Sequence, residues 1–284
     1  MYGANTTTEL RGDYRHARPD FTIDQDVRAY SSVDQDMWVR LYRRQSALAQ
    51  RYACGEFIEG LKLLDVASGV PDLNRVSDAL EARTGWRLAA VPGFIPDAVF
   101  FGHLAKRRLP VTIWLRKPEE MDYLVEPDIF HDFFGHVPML FNPVFADYVQ
   151  IYGQRGLEAV GANALPLLAR LYWYTVEFGL IETSDGLRTF GAGILSSAGE
   201  TPFAIDSTEP HRVRFELERV MRTRYMIDQF QKTYFVVRSL DELHRAVAQD
   251  LRPAWQRLAP LPPLDPALTE PGDVLVQPSR RAAA

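Results

Sequence analysis

Two histidines and one glutamate carry the densest chemical signal in this chain. His131 and His136 lie five positions apart in EPDIFHDFFGHVP (126–138), among Phe130, Phe133, Phe134, Val137 and Met139. Glu177 lies in a second apolar stretch, WYTVEFGL (173–180). Polar groups set among hydrophobes need partners, because burying even a neutral one unpaired costs about 1–3 kcal/mol. Two readings are open for each. The histidines are core residues bonded to backbone carbonyls, or they ligate a metal. Glu177 forms a buried ion pair with Arg170 or Arg188, or it supplies a third ligand. Two imidazoles and one carboxylate make the facial triad that leaves positions open on Fe(II), as oxygen activation requires.

The spacing separates this pattern from that of a zinc protease. In H-E-x-x-H the ligands stand at i and i+4 on one helix face, with the glutamate as base. Here the second histidine comes one residue later, and Asp132 follows His131. A regular helix sets residues i and i+5 roughly 140° apart. Both rings reach one ion only if the helix distorts or ends between them. Gly135 and Pro138 supply the means, and a π-bulge would also bring i and i+5 together.

The elements that must hold these residues read as mostly helical. Ser32 is placed to cap a helix running through Trp38, Leu41, Leu48 and Tyr52. A second helix is predicted from near Pro71 to a glycine stop at Gly85. VPGFIPD (91–97) reads as a punctuated loop and PVTIWLR (110–116) as a strand. Pro127 opens the histidine-bearing helix. Asn142 and Pro143 open another helix, expected to stop at Gly156. Residues 164–182 are apolar nearly all round, which predicts one long buried helix. TFGAGILSS (189–197) reads as a turn-rich strand, 215–230 as a helix and YFVV (234–237) as a strand. Ser239 and Glu242 form a capping box for a further helix. The expected fold is α+β, predominantly helical with a few short strands, in one catalytic domain over 26–258. A loose polar arm (1–25) precedes it, and a Pro-rich, flexible tail (259–284) follows.

Composition narrows the class. The 284 residues are 46% hydrophobic and 24% charged, enough for a sizeable core and against a disordered chain. The net charge is −5 with Lys and Arg scattered among acids, so no basic stripe suggests nucleic acid. No run of 18 apolar residues suggests a membrane span, and the polar N-terminus carries no secretory signal. The single cysteine, Cys54, excludes an internal disulfide or a Cys-rich zinc site, and a reducing, cytoplasmic setting is expected. His16, His211 and His244 read as surface residues and His103 as surface or outer-layer. Arg43–Arg44 and Arg107–Arg108 read as solvated pairs.

EPDIFHDFFGHVP resembles the signature of the pterin-dependent aromatic amino acid hydroxylases. YWYTVEFGL (172–180) and FGAGILSS (190–197) resemble two further blocks of that family, in the same order and at matching separations. The likeness runs from about residue 90 to about 237, and the length is that of bacterial members acting on phenylalanine. The resemblance implies hydroxylation of L-phenylalanine to L-tyrosine with O2, Fe(II) and a tetrahydropterin. Tryptophan and tyrosine are the alternative substrates. A zinc hydrolase on the same ligands lacks an adjacent glutamate base. A non-catalytic amino acid or pterin binder sits badly with an intact triad.

Residue by residue, the family's iron ligands fall on His131, His136 and Glu177. Its substrate-carboxylate arginine falls on Arg116, fifteen positions before His131, and Asp128 on the acid that buttresses it. Trp173 and Phe178 fall on walls around the substrate ring, and Gly193 and Ser196 on the segment that meets the amino acid backbone. Phe100 matches the ring that stacks on the pterin. Gly93, Phe94 and Ile95 match the loop at the pterin edge, and Asp132 stands where animal members carry a glutamate near the pterin. Leu124 and Val125 replace a Thr-Pro pair beside the substrate. Ile227 falls near a position where tyrosine-specific members carry an acid, which would leave a phenol hydroxyl unpartnered. The C-terminal heptads of tetrameric animal members have no counterpart, so a monomer is expected.

Overall fold

The computed structural model describes residues 10–124 and 126–277; Val125 lies outside the described residues. The chain opens with α1 (Ser32–Tyr52), α2 (Gly55–Lys62) and α3 (Leu73–Thr84). A parallel pair, β1 (Arg87–Val91) and β2 (Arg108–Thr112), flanks α4 (Asp97–Ala105). The long α5 (Pro143–Gly161) and α6 (Leu165–Tyr172) follow. A hairpin of β3 (Leu180–Thr183) and β4 (Gly186–Thr189) leads into α7 (Ala192–Leu195) and α8 (Glu200–Asp206). Then come β5 (His211–Arg214), α9 (Leu217–Arg222), β6 (Thr233–Val237), α10 (Leu240–Ala248) and α11 (Arg252–Leu258). The second sheet has the order β4-β3-β6-β5.

Local chemistry accounts for the boundaries. Ser31, one residue before the predicted cap, forms a reciprocal capping box with Asp34 at the start of α1. Asp72 caps α3, and Gly85 closes it with φ 75°. The Asn142 side chain accepts from the Phe145 amide at the start of α5, which runs past Gly156 to Gly161. Gly156 is therefore no stop. It is small because the Phe101 ring of α4 lies where its Cβ would be.

The predicted long helix over 164–182 is three pieces. After α6 the chain widens into a π-helical turn, Trp173–Glu177, closed by a bond from the Phe178 amide to the Trp173 carbonyl (2.8 Å), and then enters β3. A second π-helical turn spans His131–His136. Its aromatic residues anchor it to α1 and α2: Trp38 meets Phe130 and Phe133 edge-on at 5.4 and 5.8 Å, and Phe57 meets Phe134 at 5.7 Å.

Other expectations shift in register. The strand predicted over 110–116 lies at Arg108–Thr112, and the Trp114 carbonyl is instead taken by the Ile129 amide. The segment 189–197 supplies the end of β4 and then helix α7. The helix predicted over 215–230 ends at Arg222, where the backbone pairs with Leu264. That pairing also bears on the tail. Leu264 and Leu275 bridge to Thr223 and Val213, and Asp273 pairs with buried Arg219 at 3.0 Å. The described part of the arm is likewise packed: the Ile23 amide donates to the Ala90 carbonyl (2.9 Å). Residues 1–9 and 278–284 lie outside the described residues.

Candidate metal centre and the surrounding site

The π-helical register settles the i, i+5 problem. It brings both imidazoles to one side of the turn, with ring centroids 5.4 Å apart. The second π turn ends on Glu177, whose carboxylate faces both rings: Oε2 is 3.5 Å from His131 Nε2, and Oε1 is 3.4 Å from His136 Nε2. The three ligand atoms lie within 4.8 Å of one another. Metal–ligand bonds of about 2.1 Å set adjacent octahedral ligands about 3.0 Å apart and opposed ones about 4.2 Å. The Glu177 oxygens, 3.5 and 3.4 Å from the two ring nitrogens, stand close to the adjacent spacing, so the trio can close on one ion, and imidazole–carboxylate donors suit Fe(II). The ion-pair reading of Glu177 fails, for Arg170 donates to the Met221 carbonyl and Arg188 to that of Leu187. Burial by itself would raise the Glu177 pKa, but the two histidines override it and hold this carboxyl well below the usual range.

Behind the ligands a polar layer fixes their orientation. Ser196 Oγ donates to the Ala192 carbonyl at 2.8 Å and lies 2.8 Å from His131 Nδ1. A hydroxyl with its proton so committed accepts from His131, which puts the imidazole proton on Nδ1 and leaves the Nε2 lone pair facing the metal position. The Asp128 carboxylate is wholly buried and accepts from four donors. Arg116 supplies its amide (2.9 Å), Nε (2.8 Å) and Nη2 (2.8 Å), and the His131 amide supplies the fourth (3.0 Å). Burial opposes that charge, yet the Arg116 guanidinium keeps Asp128 below the ordinary carboxylate range. One side chain thus ties the arginine to a metal ligand.

Several of the remaining carried-over residues meet one another or the ligands. Trp173 and Phe178 face each other at 4.9 Å, and Tyr225, which the sequence did not single out, stacks on Trp173 at 4.3 Å. Gly193 lies against Phe178; a Cβ there would stand 2.7 Å from the ring. Phe100 meets Tyr172 at 5.8 Å, and Tyr172 meets His136 at 6.4 Å. Asp132 Oδ2 accepts from the Thr112 amide at 2.8 Å, and burial pushes its carboxyl pKa up. Gly93, Phe94 and Ile95 form the loop between β1 and α4.

Two expectations, for Ile227 and His103, do not survive. Ile227 is 57% exposed on an irregular segment and closes no apolar pocket. His103 is buried, with Nε2 2.8 Å from the Asp20 carbonyl. Val125 lies outside the described residues, and Leu124 is partly exposed. Cys54 is buried against Met139, where burial raises its thiol pKa out of reactive range.

A facial two-histidine, one-carboxylate centre on paired π turns defines a non-haem metalloenzyme class. Residues 4–254 match the model of the biopterin-dependent aromatic amino acid hydroxylases, and the chain belongs to that family. It is 53% identical to phenylalanine-4-hydroxylase of Chromobacterium violaceum over 95% of this chain and 91% of that one. The Ralstonia nicotianae protein of the same name is 51% identical, over 95% and 86%. An iron- and phenylalanine-bound crystal structure of the C. violaceum enzyme superposes with a TM-score of 0.88, covering 92% of this chain and 96% of that one at 53% identity.

Proposed function

We propose that this protein is an Fe(II)- and tetrahydropterin-dependent monooxygenase that converts L-phenylalanine to L-tyrosine with O2. The carrying observation is one continuous polar network: Arg116, Asp128, His131, Ser196 and the histidine–glutamate trio. It joins Arg116 to the histidine–glutamate trio. Kinship to proteins named phenylalanine-4-hydroxylase supports the substrate.

Each group has a defined task in this reading. His131, His136 and Glu177 hold the iron. Arg116, made rigid by Asp128, receives the substrate carboxylate. Trp173 and Phe178 flank the ring and keep water from it, while Gly193 leaves room for the amino acid backbone. Phe100 stacks on the pterin, the loop at Gly93, Phe94 and Ile95 holds its edge, and Asp132 lies beside it. When bound, iron and pterin supply the redox chemistry that cleaves O2; the protein supplies position and dryness.

The test is turnover with phenylalanine, tryptophan and tyrosine at equal concentration, with Fe(II), O2 and a synthetic tetrahydropterin, and products identified by mass. Tyrosine should form fastest. Faster 5-hydroxytryptophan or DOPA would overturn the substrate, and no hydroxylation at all would overturn the reaction. The reading also takes the protein to be a cytoplasmic monomer. A lone buried thiol fits a reducing compartment, and among the described residues no helix is long and apolar enough to cross a membrane. Light scattering at micromolar concentration checks the monomer.

A further inference from the structure

Three buried polar side-chain atoms meet near the start of the β1–α4 loop: the Tyr14 hydroxyl, Glu126 Oε1 and Trp114 Nε1. They converge on one glycine. A Cβ on Gly93 would stand 2.6 Å from Glu126 Oε1, 2.8 Å from the Tyr14 hydroxyl and 3.7 Å from Trp114 Nε1. With φ at 152°, that backbone also favours glycine on its own account. Glu126 is only 7% exposed, so its carboxylate is held there at a cost that its surroundings must offset.

The N-terminal arm brings Tyr14 to this place by several contacts. Arg11 pairs with Glu120 through both terminal guanidinium nitrogens, Nη1 and Nη2, and lies over the Trp114 ring at 5.0 Å. Gly12 passes so close to Pro92 that a Cβ would overlap the proline carbonyl. Burial, with the Glu126 charge adding to it, pushes the Tyr14 hydroxyl up to about 12, and the Phe94 amide opposes the shift. The same amide works against the burial that raises Glu126. Two side chains from distant parts of the chain therefore face the backbone of Gly93 and Phe94 from behind.

We infer that Tyr14 and Glu126 are positioning residues for the pterin: with the arm as their brace, they set the height of the Gly93–Ile95 loop. The inference rests on the proposed pterin-dependent reaction, and gives a working role to a segment outside the residues the resemblance carries over. Neither side chain needs to touch the cofactor, since the atoms concerned are buried. Loss of either would let the loop relax and blunt its grip on the pterin edge, leaving the iron and the amino acid anchor as they are.

The experiment uses the iron-loaded full chain and three variants, Tyr14→Phe, Glu126→Gln and Gly12→Ala. Anaerobic calorimetry with 6-methyltetrahydropterin gives the pterin Kd. Turnover gives both KM values and the ratio of tyrosine formed to pterin oxidised. Thermal melting reports stability. Tyr14→Phe should raise the pterin Kd about fivefold, the equivalent of one net hydrogen bond, and lower coupling, with the phenylalanine KM and iron content unchanged. Gly12→Ala, which pushes the arm off Pro92 without altering a polar group, should do the same. An unchanged pterin Kd in both variants, or parallel losses in pterin affinity, phenylalanine KM and melting temperature, overturns the inference. If the unaltered enzyme neither binds the pterin nor hydroxylates, the underlying functional reading falls instead.

Discussion

Replacing Ser196 by alanine tests whether this hydroxyl serves the metal or the substrate. The resemblance sets Ser196 beside the amino acid backbone, whereas its hydroxyl lies 2.8 Å from His131 Nδ1 and donates to the Ala192 carbonyl at 2.8 Å. Ser196→Ala removes the acceptor of the imidazole proton at a position only 7% exposed. The lost hydrogen bond is worth roughly 0.5–1.5 kcal/mol. The imidazole also becomes free to turn or to move its proton to Nε2, which removes the lone pair that faces Glu177. Outer partners of metal-bound histidines typically account for about 10–100-fold in metal affinity, or about 1.4–2.7 kcal/mol. Competition with a chromogenic chelator under anaerobic conditions measures Fe(II) affinity, and Co(II) repeats it without redox chemistry. Affinity should fall at least tenfold, with the phenylalanine KM, taken at saturating iron, changing less than threefold. A metal affinity within twofold of the unaltered protein, with a raised phenylalanine KM, would refute the argument and return Ser196 to the substrate.

Arg116→Lys should raise the phenylalanine KM about tenfold or more and the pterin KM far less, because an ammonium cannot reproduce the two-pronged bond to Asp128 that fixes the anchor; steady-state kinetics in each substrate decides. Gly156→Ala should cost about 1–3 kcal/mol by driving a methyl into the Phe101 ring, read as a lower midpoint in urea with activity per folded molecule unchanged. Glu200 gives a pH signature, since burial pushes its pKa up to about 7 against hydrogen bonds from the Tyr234 hydroxyl and the Gln231 amide. The folded state then holds a proton that the unfolded chain releases near its ordinary value of about 4.5, so stability falls between about pH 4.5 and 7. Glu200→Gln should be neutral at pH 4 and stabilise by up to about 3 kcal/mol at pH 8; an equal gain at both pH values would exclude this titration as the cause.

The caps and the metal ligands were legible because their signals are local. Asn142 and Ser239 each sit where a side chain meets its own helix end, and His131, His136 and Glu177 are polar residues in apolar settings. Features set by tertiary contact were not legible. Gly156 has the composition of a stop, but it is small to admit Phe101, a residue 55 positions away. The helix at 217 ends at Arg222 because Leu264 supplies its next backbone partner. The π turn at Trp173–Glu177 has no composition that sets it apart from the α-helix it continues. One signal was overlooked: Asp185–Gly186 marks a hairpin, whose two-residue loop is Ser184–Asp185 with Gly186 opening β4 at φ 94°. The arm and tail read as loose because polar, proline-rich segments carry no periodicity, and their described residues are held by specific bonds instead.

The two π turns make the metal centre depend on residue count as well as residue type. A π turn is an α-helix with one residue in excess, and here each excess residue lies in a segment that delivers a ligand. If the turn relaxed to α geometry with all its residues kept, His131 and His136 would stand roughly 140° apart about the helix axis, with every ligand still present in the sequence. Such a chain would keep its aromatic residues and lose the chelate. The register of the helix is therefore itself part of the coordination chemistry: the same two histidines meet one ion only while the turn holds its excess residue in π form.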